Sequence, residues 1–199
     1  MRIVFIHGWG MHRSIFDGVI AGLAVDALAP DVPGYGGTQY CAGDCAALAG
    51  ALARQFDGPL IVCGWSLGAQ IALRWALAEP ERVARLILVG GSPRFVSGDD
   101  WQCGVSAQLF TEFATELALD YAKTITRFLT LQADAGDRAT LRELRAVLTH
   151  LQPTPKALRQ GLDILLHEDL RATLASVQMP TLVVQGDRDM LVPRCAAEY

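Results

Sequence analysis

Short apolar runs alternate with stretches of helical composition along this chain, and that alternation constrains the fold more than any other feature. Such runs span 2–6, 25–29, 59–63, 85–89 and 181–185, and the second is the weakest. Runs of this length are typical of strands buried on both faces of a parallel sheet. Because segments with helical length and composition, such as 46–56 and 69–78, lie between them, we predict an α/β protein. Its sheet should be mostly parallel, with helices on both faces.

The apolar runs stop between residues 98 and 174, where the composition predicts helix after helix. Breaks at 135–137 and 153–155 divide this stretch into separate helices. A helical insertion followed by a return to strand indicates a cap over the carboxyl edge of the sheet. We therefore predict a core formed by 1–97 and 175–199, with a helical cap at 98–174.

Residues 121–160 differ in charge from the rest of the chain. They carry seven basic and three acidic side chains, a net charge of +4, whereas the other 159 residues sum to −8. The basic residues are Lys123, Arg127, Arg138, Arg142, Arg145, Lys156 and Arg159. This basic patch is a candidate docking surface for an anionic partner, although a solvated helix face with ordinary salt bridges would have the same composition.

Composition excludes several classes of protein. The 199 residues are 51% hydrophobic and 19% charged with a net charge of −4, which is typical of one globular domain and not of a disordered or nucleic-acid-coating chain. No apolar stretch approaches the roughly 20 residues of a membrane span, and the N-terminus lacks a signal-peptide apolar region. We expect a cytoplasmic monomer.

The five cysteines show no C-x-x-C pair or zinc-site spacing, so we expect free, mostly buried thiols.

The sequence Gly-Trp-Ser-Leu-Gly at 64–68 follows one predicted strand and precedes a predicted helix. In a G-x-S-x-G elbow the serine lies on a strained strand-to-helix turn, and the small flanking residues allow the backbone to turn sharply. The helix N-terminus places backbone N–H groups near a developing oxyanion. Ser66 is therefore the predicted nucleophile, and the alternative is an ordinary glycine turn.

The sequence His-Gly-Trp-Gly at 7–10 closes the first predicted strand. An oxyanion hole needs a second N–H besides the one that follows the nucleophile, and a glycine-bearing loop can supply it. Trp9 and Leu67 are the predicted N–H donors. His7 could act as a catalytic base, but a histidine at this strand end more often braces the loop by hydrogen bonds.

Two aspartates follow the last predicted strand, within the segment 186–193. A catalytic triad needs a carboxylate that orients the imidazole and stabilises its charged form. Asp187 or Asp189 could have this role, and the alternative is that both cap a turn.

These motifs together resemble the α/β-hydrolase family and, more narrowly, the carboxylesterases that act on pimeloyl-[acyl-carrier protein] methyl ester in biotin synthesis. The elbow and the Asp-Val-Pro-Gly loop that begins at Asp31 carry the wider resemblance. The narrower one depends on Trp9, Trp65 and the Arg-Phe-Leu-Thr-Leu-Gln run at 127–132. Further matches are Pro-Glu-Arg-Val at 80–83 and Gly-Ser-Pro at 91–93.

The resemblance implies a reaction and a partner. Ser66 would attack a methyl ester at the end of a pimeloyl chain on acyl carrier protein and release methanol, with Asp189 as the triad acid. The implied substrate-binding residues are Trp9, Ser66, Leu67, Phe128, Leu129, Thr130, Leu131 and Gln132. The implied carrier-docking residues are Lys123, Arg127, Arg138, Arg142, Arg145 and Arg159. Small esters are further candidate substrates, and no metal or organic cofactor is expected.

The triad base departs from the family pattern. All four histidines, His7, His12, His150 and His167, precede Asp189, whereas the family order places the base after the acid. We therefore expect that the triad histidine is not present in the chain, that the chain is truncated and that these 199 residues are nearly inactive. The alternative is that His7, His12 or His167 has been recruited. Without a further strand, 181–185 would form an exposed apolar edge.

Two other functions fit the same motifs. One is a general short-chain carboxylesterase or lactonase of the same fold, because the elbow does not distinguish among them. The other is a non-catalytic protein that binds the carrier and has lost its triad.

Overall fold

The computed structural model describes residues 1–132, 142 and 153–199. Five strands form one sheet in the order β2-β1-β3-β4-β5, and every neighbouring pair is parallel. The strands are β1 (Arg2–Ile6), β2 (Ala27–Leu28), β3 (Leu60–Trp65), β4 (Val83–Val89) and β5 (Thr181–Val184). The predicted α/β fold class is confirmed, and β2 is the shortened form of the weakest predicted run.

Seven α-helices and two short 3₁₀ helices are described around this sheet. The α-helices are α1 (Asp17–Ala21), α2 (Cys45–Ala53), α3 (Leu67–Ala78), α4 (Ala107–Leu119), α5 (Tyr121–Gln132), α6 (Pro155–His167) and α7 (Arg194–Glu198). The 3₁₀ helices are Arg13–Phe16 and Arg171–Ser176. Within the described ranges, no helix is long and apolar enough to cross a membrane.

Alternate side chains of the strands bury against different helices, as the two-residue period of a strand requires. Val4 and Val62 point into the large core that α2 and α3 cover. Phe5 and Cys63 point to the opposite face, where Phe16 packs on them. Because all the strands run in parallel, their carboxyl ends meet at one edge of the sheet, and the loops that carry the predicted site residues leave from that edge.

The strand β5 differs from the central strands in its exposure. Its apolar side chains Leu182, Val183 and Val184 are 56%, 43% and 45% exposed. Among the described residues β5 pairs only with β4, from Leu86 opposite Thr181 to Val89 opposite Val184. The predicted exposed apolar edge is therefore present.

The prediction that all five cysteines are free thiols is wrong for two of them. Cys103, before α4, and Cys195, in α7, form a disulfide with a Cα–Cα distance of 5.6 Å. They are 92 residues apart in sequence and meet only because the fold brings α7 beside the start of the helical segment. The other three cysteines are free. Burial raises the pKa of the Cys63 thiol to about 11, so this thiol is protonated at neutral pH.

Candidate active site

Ser66 lies between β3 and α3 in a backbone conformation that L-amino acids rarely adopt. Its φ is 55° and its ψ is −119°, and it is the only non-glycine residue with positive φ in the described part of the chain. A Cβ atom at Gly64 would overlap the carbonyl of Gly68, and one at Gly68 would overlap the carbonyl of Ile6. Both positions therefore require glycine, and the surrounding backbone holds Ser66 in its strained turn.

His7 braces the loop that follows β1. Its Nε2 accepts a hydrogen bond from the Val32 N–H at 3.0 Å, and its Nδ1–H donates to the Gly8 carbonyl at 2.9 Å. Burial lowers the pKa of His7 to about 4, despite the carboxylate of Asp31 at 3.7 Å. The imidazole is therefore neutral at pH 7, and both of its nitrogens are engaged. These contacts favour the bracing role over the role of catalytic base.

The predicted oxyanion donors lie on two segments that meet at Ser66. A Cβ atom at Gly8 would be 3.3 Å from the Cβ of Ser66, so the loop that carries Trp9 packs directly on Ser66. Leu67 is the first residue of α3, and its N–H therefore has no acceptor within the helix. The Trp9 indole donates to the Leu158 carbonyl at 2.9 Å, which fixes this loop against α6. The geometry is compatible with the two predicted donors.

Asp189 is held by its own loop. Its Oδ1 accepts from the N–H groups of Leu191 and Val192 at 2.9 Å each, and its Oδ2 accepts from the Gln185 side chain at 3.1 Å. The side chain of Asp187, in contrast, is 85% exposed and pairs only with Arg194, at 3.6 Å, in the contacts described. These contacts favour Asp189 as the residue that could orient an imidazole.

Gly90 lies between the elbow, 64–68, and the loop 186–193 that carries Asp189, which we call the acid loop. A Cβ atom there would be 3.5 Å from Oδ2 of Asp189 and 3.6 Å from the indole nitrogen of Trp65, the residue before Ser66. The backbone N–H of Gly90 donates to Val184, and Ser66 N–H donates to Val89. Asp189 and Ser66 therefore follow strands on either side of β4, at the same edge of the sheet.

A cavity of about 280 Å³ contains Ser66 and Trp9 in its wall. This volume is near the lower end of the range for small-molecule sites, about 300–1,000 Å³. Its other walls are mainly aromatic and aliphatic side chains from the loop after β4 and from α4, α5 and α6, including Phe95, Phe110, Phe113, Phe128, Leu162 and Leu165. Phe113 and Phe128 pack edge-on against Trp9, with ring centroids 5.5 and 5.3 Å away. An apolar acyl chain is the kind of ligand that such walls accept.

The structure brings together only part of the predicted substrate-binding set. Trp9, Ser66 and Phe128 line the cavity, whereas Leu67 and Leu129 are buried outside its wall. Thr130 is exposed, and its hydroxyl donates to the Thr126 carbonyl. For Leu131 and Gln132 the structure describes only the helical backbone of α5.

The predicted docking residues are spread over two helices and one segment that is largely outside the described ranges. Lys123 and Arg159 are exposed on α5 and α6, and Arg142 is an exposed helical residue. Arg127 lies at the cavity, where it pairs with Glu116 at 3.0 Å. Arg138 and Arg145 lie outside the described residues.

The cavity also contains residues that the sequence analysis missed. In the sequence, these residues are only apolar positions of predicted helices. They are Phe110 and Phe113 on α4 and Leu162 and Leu165 on α6. None of the described residues that line this cavity is a histidine. Within the same described ranges, no group of three acidic, histidine or cysteine side chains could hold a metal ion.

Known proteins are similar to this chain in sequence. The model of the alpha/beta hydrolase family matches residues 3–198. A pimeloyl-[acyl-carrier protein] methyl ester esterase of Nitrosomonas europaea is 40% identical over 99% of this chain and 81% of its own length. The protein with the same name in Vibrio parahaemolyticus is 36% identical over 96% of this chain and 77% of its own length.

Solved structures share the fold. An esterase from Exiguobacterium antarcticum superposes with a TM-score of 0.89 at 21% identity, over 100% of this chain and 78% of that protein. An enol-lactonase from Burkholderia xenovorans superposes with a TM-score of 0.84 at 18% identity, over 99% of this chain and 76% of that protein. At such identities the likeness concerns the fold alone.

Proposed function

The chain belongs to the alpha/beta hydrolase family, and we propose that it is a serine carboxylesterase for the methyl ester of pimeloyl-[acyl-carrier protein] in biotin biosynthesis. The observation that carries the proposal is the strained Ser66 in the wall of an apolar cavity. Relatives of 36–40% identity that bear this name support the choice of substrate.

In this mechanism the Ser66 hydroxyl attacks the carbonyl carbon of the ester, and the carbonyl oxygen gains negative charge. The N–H groups of Trp9 and Leu67 would stabilise that charge, because fixed backbone dipoles need no reorganisation during the reaction. Methanol leaves with a proton, and water then hydrolyses the acyl–Ser66 ester to a carboxylic acid. Both steps need a base that accepts a proton and returns it.

No residue of this chain is assigned as the base in this mechanism. Asp189 would orient an imidazole, but His7 is engaged at both nitrogens. We propose that none of the four histidines is the triad base, so the 199 residues alone turn over substrate slowly. Removal of a triad histidine can cost on the order of 10⁶-fold in turnover.

The proposed partner is the acyl carrier protein. Exposed Lys123 and Arg159 supply positive charge on α5 and α6, and complementary charge accelerates association with an acidic protein. The cytoplasm stays the proposed compartment and a monomer the proposed state. In a reducing compartment Cys103 and Cys195 would be thiols, so the disulfide belongs to the oxidised protein.

The experiment uses the carrier bearing the pimeloyl methyl ester, with free imidazole in the buffer as a diffusible base. We expect mass spectrometry to show loss of one methylene mass unit from the acyl group, faster with imidazole. The variant Ser66→Ala should show neither the basal nor the imidazole-dependent conversion. Equal conversion by Ser66→Ala would contradict the proposal, and a preference for p-nitrophenyl butyrate with no carrier advantage would favour a general esterase.

A non-catalytic carrier-binding protein is the second candidate. It is favoured by one observation, the lack of a histidine among the described residues of the cavity wall. Carrier binding without any Ser66-dependent loss of the methyl group, with or without imidazole, would support it.

A further inference from the structure

Three charged and exposed side chains are part of the wall of the cavity that contains Ser66. Glu112 and Glu116 lie one turn apart on α4, and Arg127 lies on α5. All three are exposed, and we call them the cavity mouth. They are the only charged residues among the described residues that line this cavity.

The mouth residues adjoin two aromatic residues of the same wall, Phe113 and Phe128, which we call the collar. Phe113 follows Glu112 and Phe128 follows Arg127 in sequence, and both rings pack on Trp9, which lies beside Ser66. An extended acyl chain whose ester reaches Ser66 would lie along these rings. Its far end could then reach the exposed charged side chains that line the same cavity.

The described residues of the mouth have a negative balance of charge. Arg127 Nη1 donates to Oε2 of Glu116 at 3.0 Å and to Oε1 at 3.3 Å, so these two charges offset each other. Glu112 accepts a hydrogen bond from the neutral side chain of Gln108 at 2.9 Å. Among residues 1–132, 142 and 153–199, no cation pairs with Glu112, so within this part of the chain its negative charge is uncompensated. The apolar wall beside it weakens solvent screening of that charge.

We propose that the cavity mouth discriminates against acyl esters whose far end is anionic, and that Glu112 is the residue that sets this preference. This inference rests on the proposed function, because it assumes that the ester lies at Ser66. The accepted class has a neutral far end, such as a thioester, an amide or a second ester. The rejected class is the half-ester of a dicarboxylic acid with a free carboxylate. A carrier-bound acyl group would thus be admitted, and the same acyl group released from the carrier would be excluded.

Two nearly isosteric ligands separate charge from shape. One is the monomethyl ester of pimelic acid, with a free carboxylate, and the other is the same methyl ester with a carboxamide in place of that carboxylate. Binding to the Ser66→Ala chain is measured by ligand-observed NMR titration, so that no turnover occurs and no base is needed. We expect the carboxamide to bind about three- to tenfold more tightly at low ionic strength. Added salt should reduce the ratio, because the mouth is exposed.

The variant Glu112→Gln, made in the same Ser66→Ala background, tests the assignment. It keeps a side-chain oxygen for Gln108 and removes the charge, so we expect the affinity ratio to fall below about twofold. The matched control is Glu81→Gln, because Glu81 is exposed before β4 at the opposite edge of the sheet. That variant should keep the full ratio.

Each other outcome has a distinct meaning. Equal affinities of the two ligands for the parent Ser66→Ala chain would overturn the inference and leave the acyl cavity of the proposed function intact. An affinity ratio that persists in Glu112→Gln would overturn the role of Glu112. Failure of both ligands to bind would overturn the acyl site of the proposed function, and the inference with it.

Discussion

The proposed nucleophile, Ser66, and the proposed acid, Asp189, are held in place by different means. Ser66 follows a central strand with a neighbour on each side, and glycine contacts with β1 and α3 fix its turn. Asp189 follows the exposed edge strand, and its position depends on hydrogen bonds within its own loop. The Cys103–Cys195 disulfide and the small cluster of Trp101, Val192 and Ala196 anchor that loop to the helical segment. The elbow should therefore tolerate damage to the acid loop.

The largest effect should come from Gly68→Ala in the elbow. The new methyl group would overlap the carbonyls of Ile6 and His7, which belong to β1 and its loop and cannot rotate away. We expect a loss of more than about 4 kcal/mol in the free energy of unfolding, measured by urea denaturation.

The control for that variant is Gly18→Ala in α1, where nothing lies within 4 Å of the new methyl group. It should be neutral or stabilising by up to about 1 kcal/mol. A loss below about 1 kcal/mol for Gly68→Ala would show that the elbow is not rigid.

The second-largest loss of unfolding free energy should come from Cys103→Ser in the oxidised protein. The disulfide closes a 92-residue separation, so its loss should cost about 2–4 kcal/mol of unfolding free energy. Limited proteolysis should then cut at 187–193 more rapidly. Cys41→Ser, which removes a free thiol, is the matched control. Unchanged stability and unchanged cleavage would mean that the disulfide does not anchor the acid loop.

A third effect follows from His7 in the elbow's supporting loop. Its pKa is lowered from 6.5 to about 4 by burial, so the unfolded chain binds this proton first as the pH falls. Its contribution to stability should be complete above pH 6.5 and decline toward pH 4, with a total loss on the order of 3 kcal/mol below that.

NMR titration of the His7 ring protons measures this pKa directly. In His7→Gln, the fall of unfolding free energy between pH 6.5 and pH 4 should be shallower than in the parent chain. A His7 pKa near 6.5 would contradict the buried, bracing role.

The smallest effect should come from Asp189→Asn in the acid loop. The amide keeps an oxygen for Leu191 and Val192 but turns a donor toward the Gln185 side chain, so we expect a loss of about 1 kcal/mol in unfolding free energy. The exposed Asp187→Asn should stay within about 0.5 kcal/mol. If the two variants are equally stable, the loop contacts of Asp189 contribute little.

The elbow could be predicted from the sequence because its determinants are local. Gly64, Ser66 and Gly68 lie within five residues, between a strand and a helix that have strong patterns of their own. The cavity wall could not be predicted in the same way. Consecutive residues of a helix point in directions about 100° apart, so the run 128–132 on α5 could not line one cavity throughout, and only Phe128 of its described side chains does.

The acid loop was only partly predictable. The order of elements placed Asp187 and Asp189 after an edge strand, but the contacts that distinguish them form in three dimensions. The spacing of the cysteines does not predict the disulfide, because tertiary packing brings together two residues that are 92 positions apart. The pairing of Arg127 with Glu116 likewise depends on the packing of α5 on α4.

Covalent labelling by a fluorophosphonate tests most directly whether Ser66 is a nucleophile organised independently of the acid loop. With free imidazole in the buffer as the base, we predict one adduct per chain, mapped by peptide mass spectrometry to Ser66, absent in Ser66→Ala and formed at a similar rate in Asp189→Asn. Without imidazole the adduct should form much more slowly. No adduct in the folded parent chain with imidazole present, or an adduct that persists in Ser66→Ala, would contradict the account.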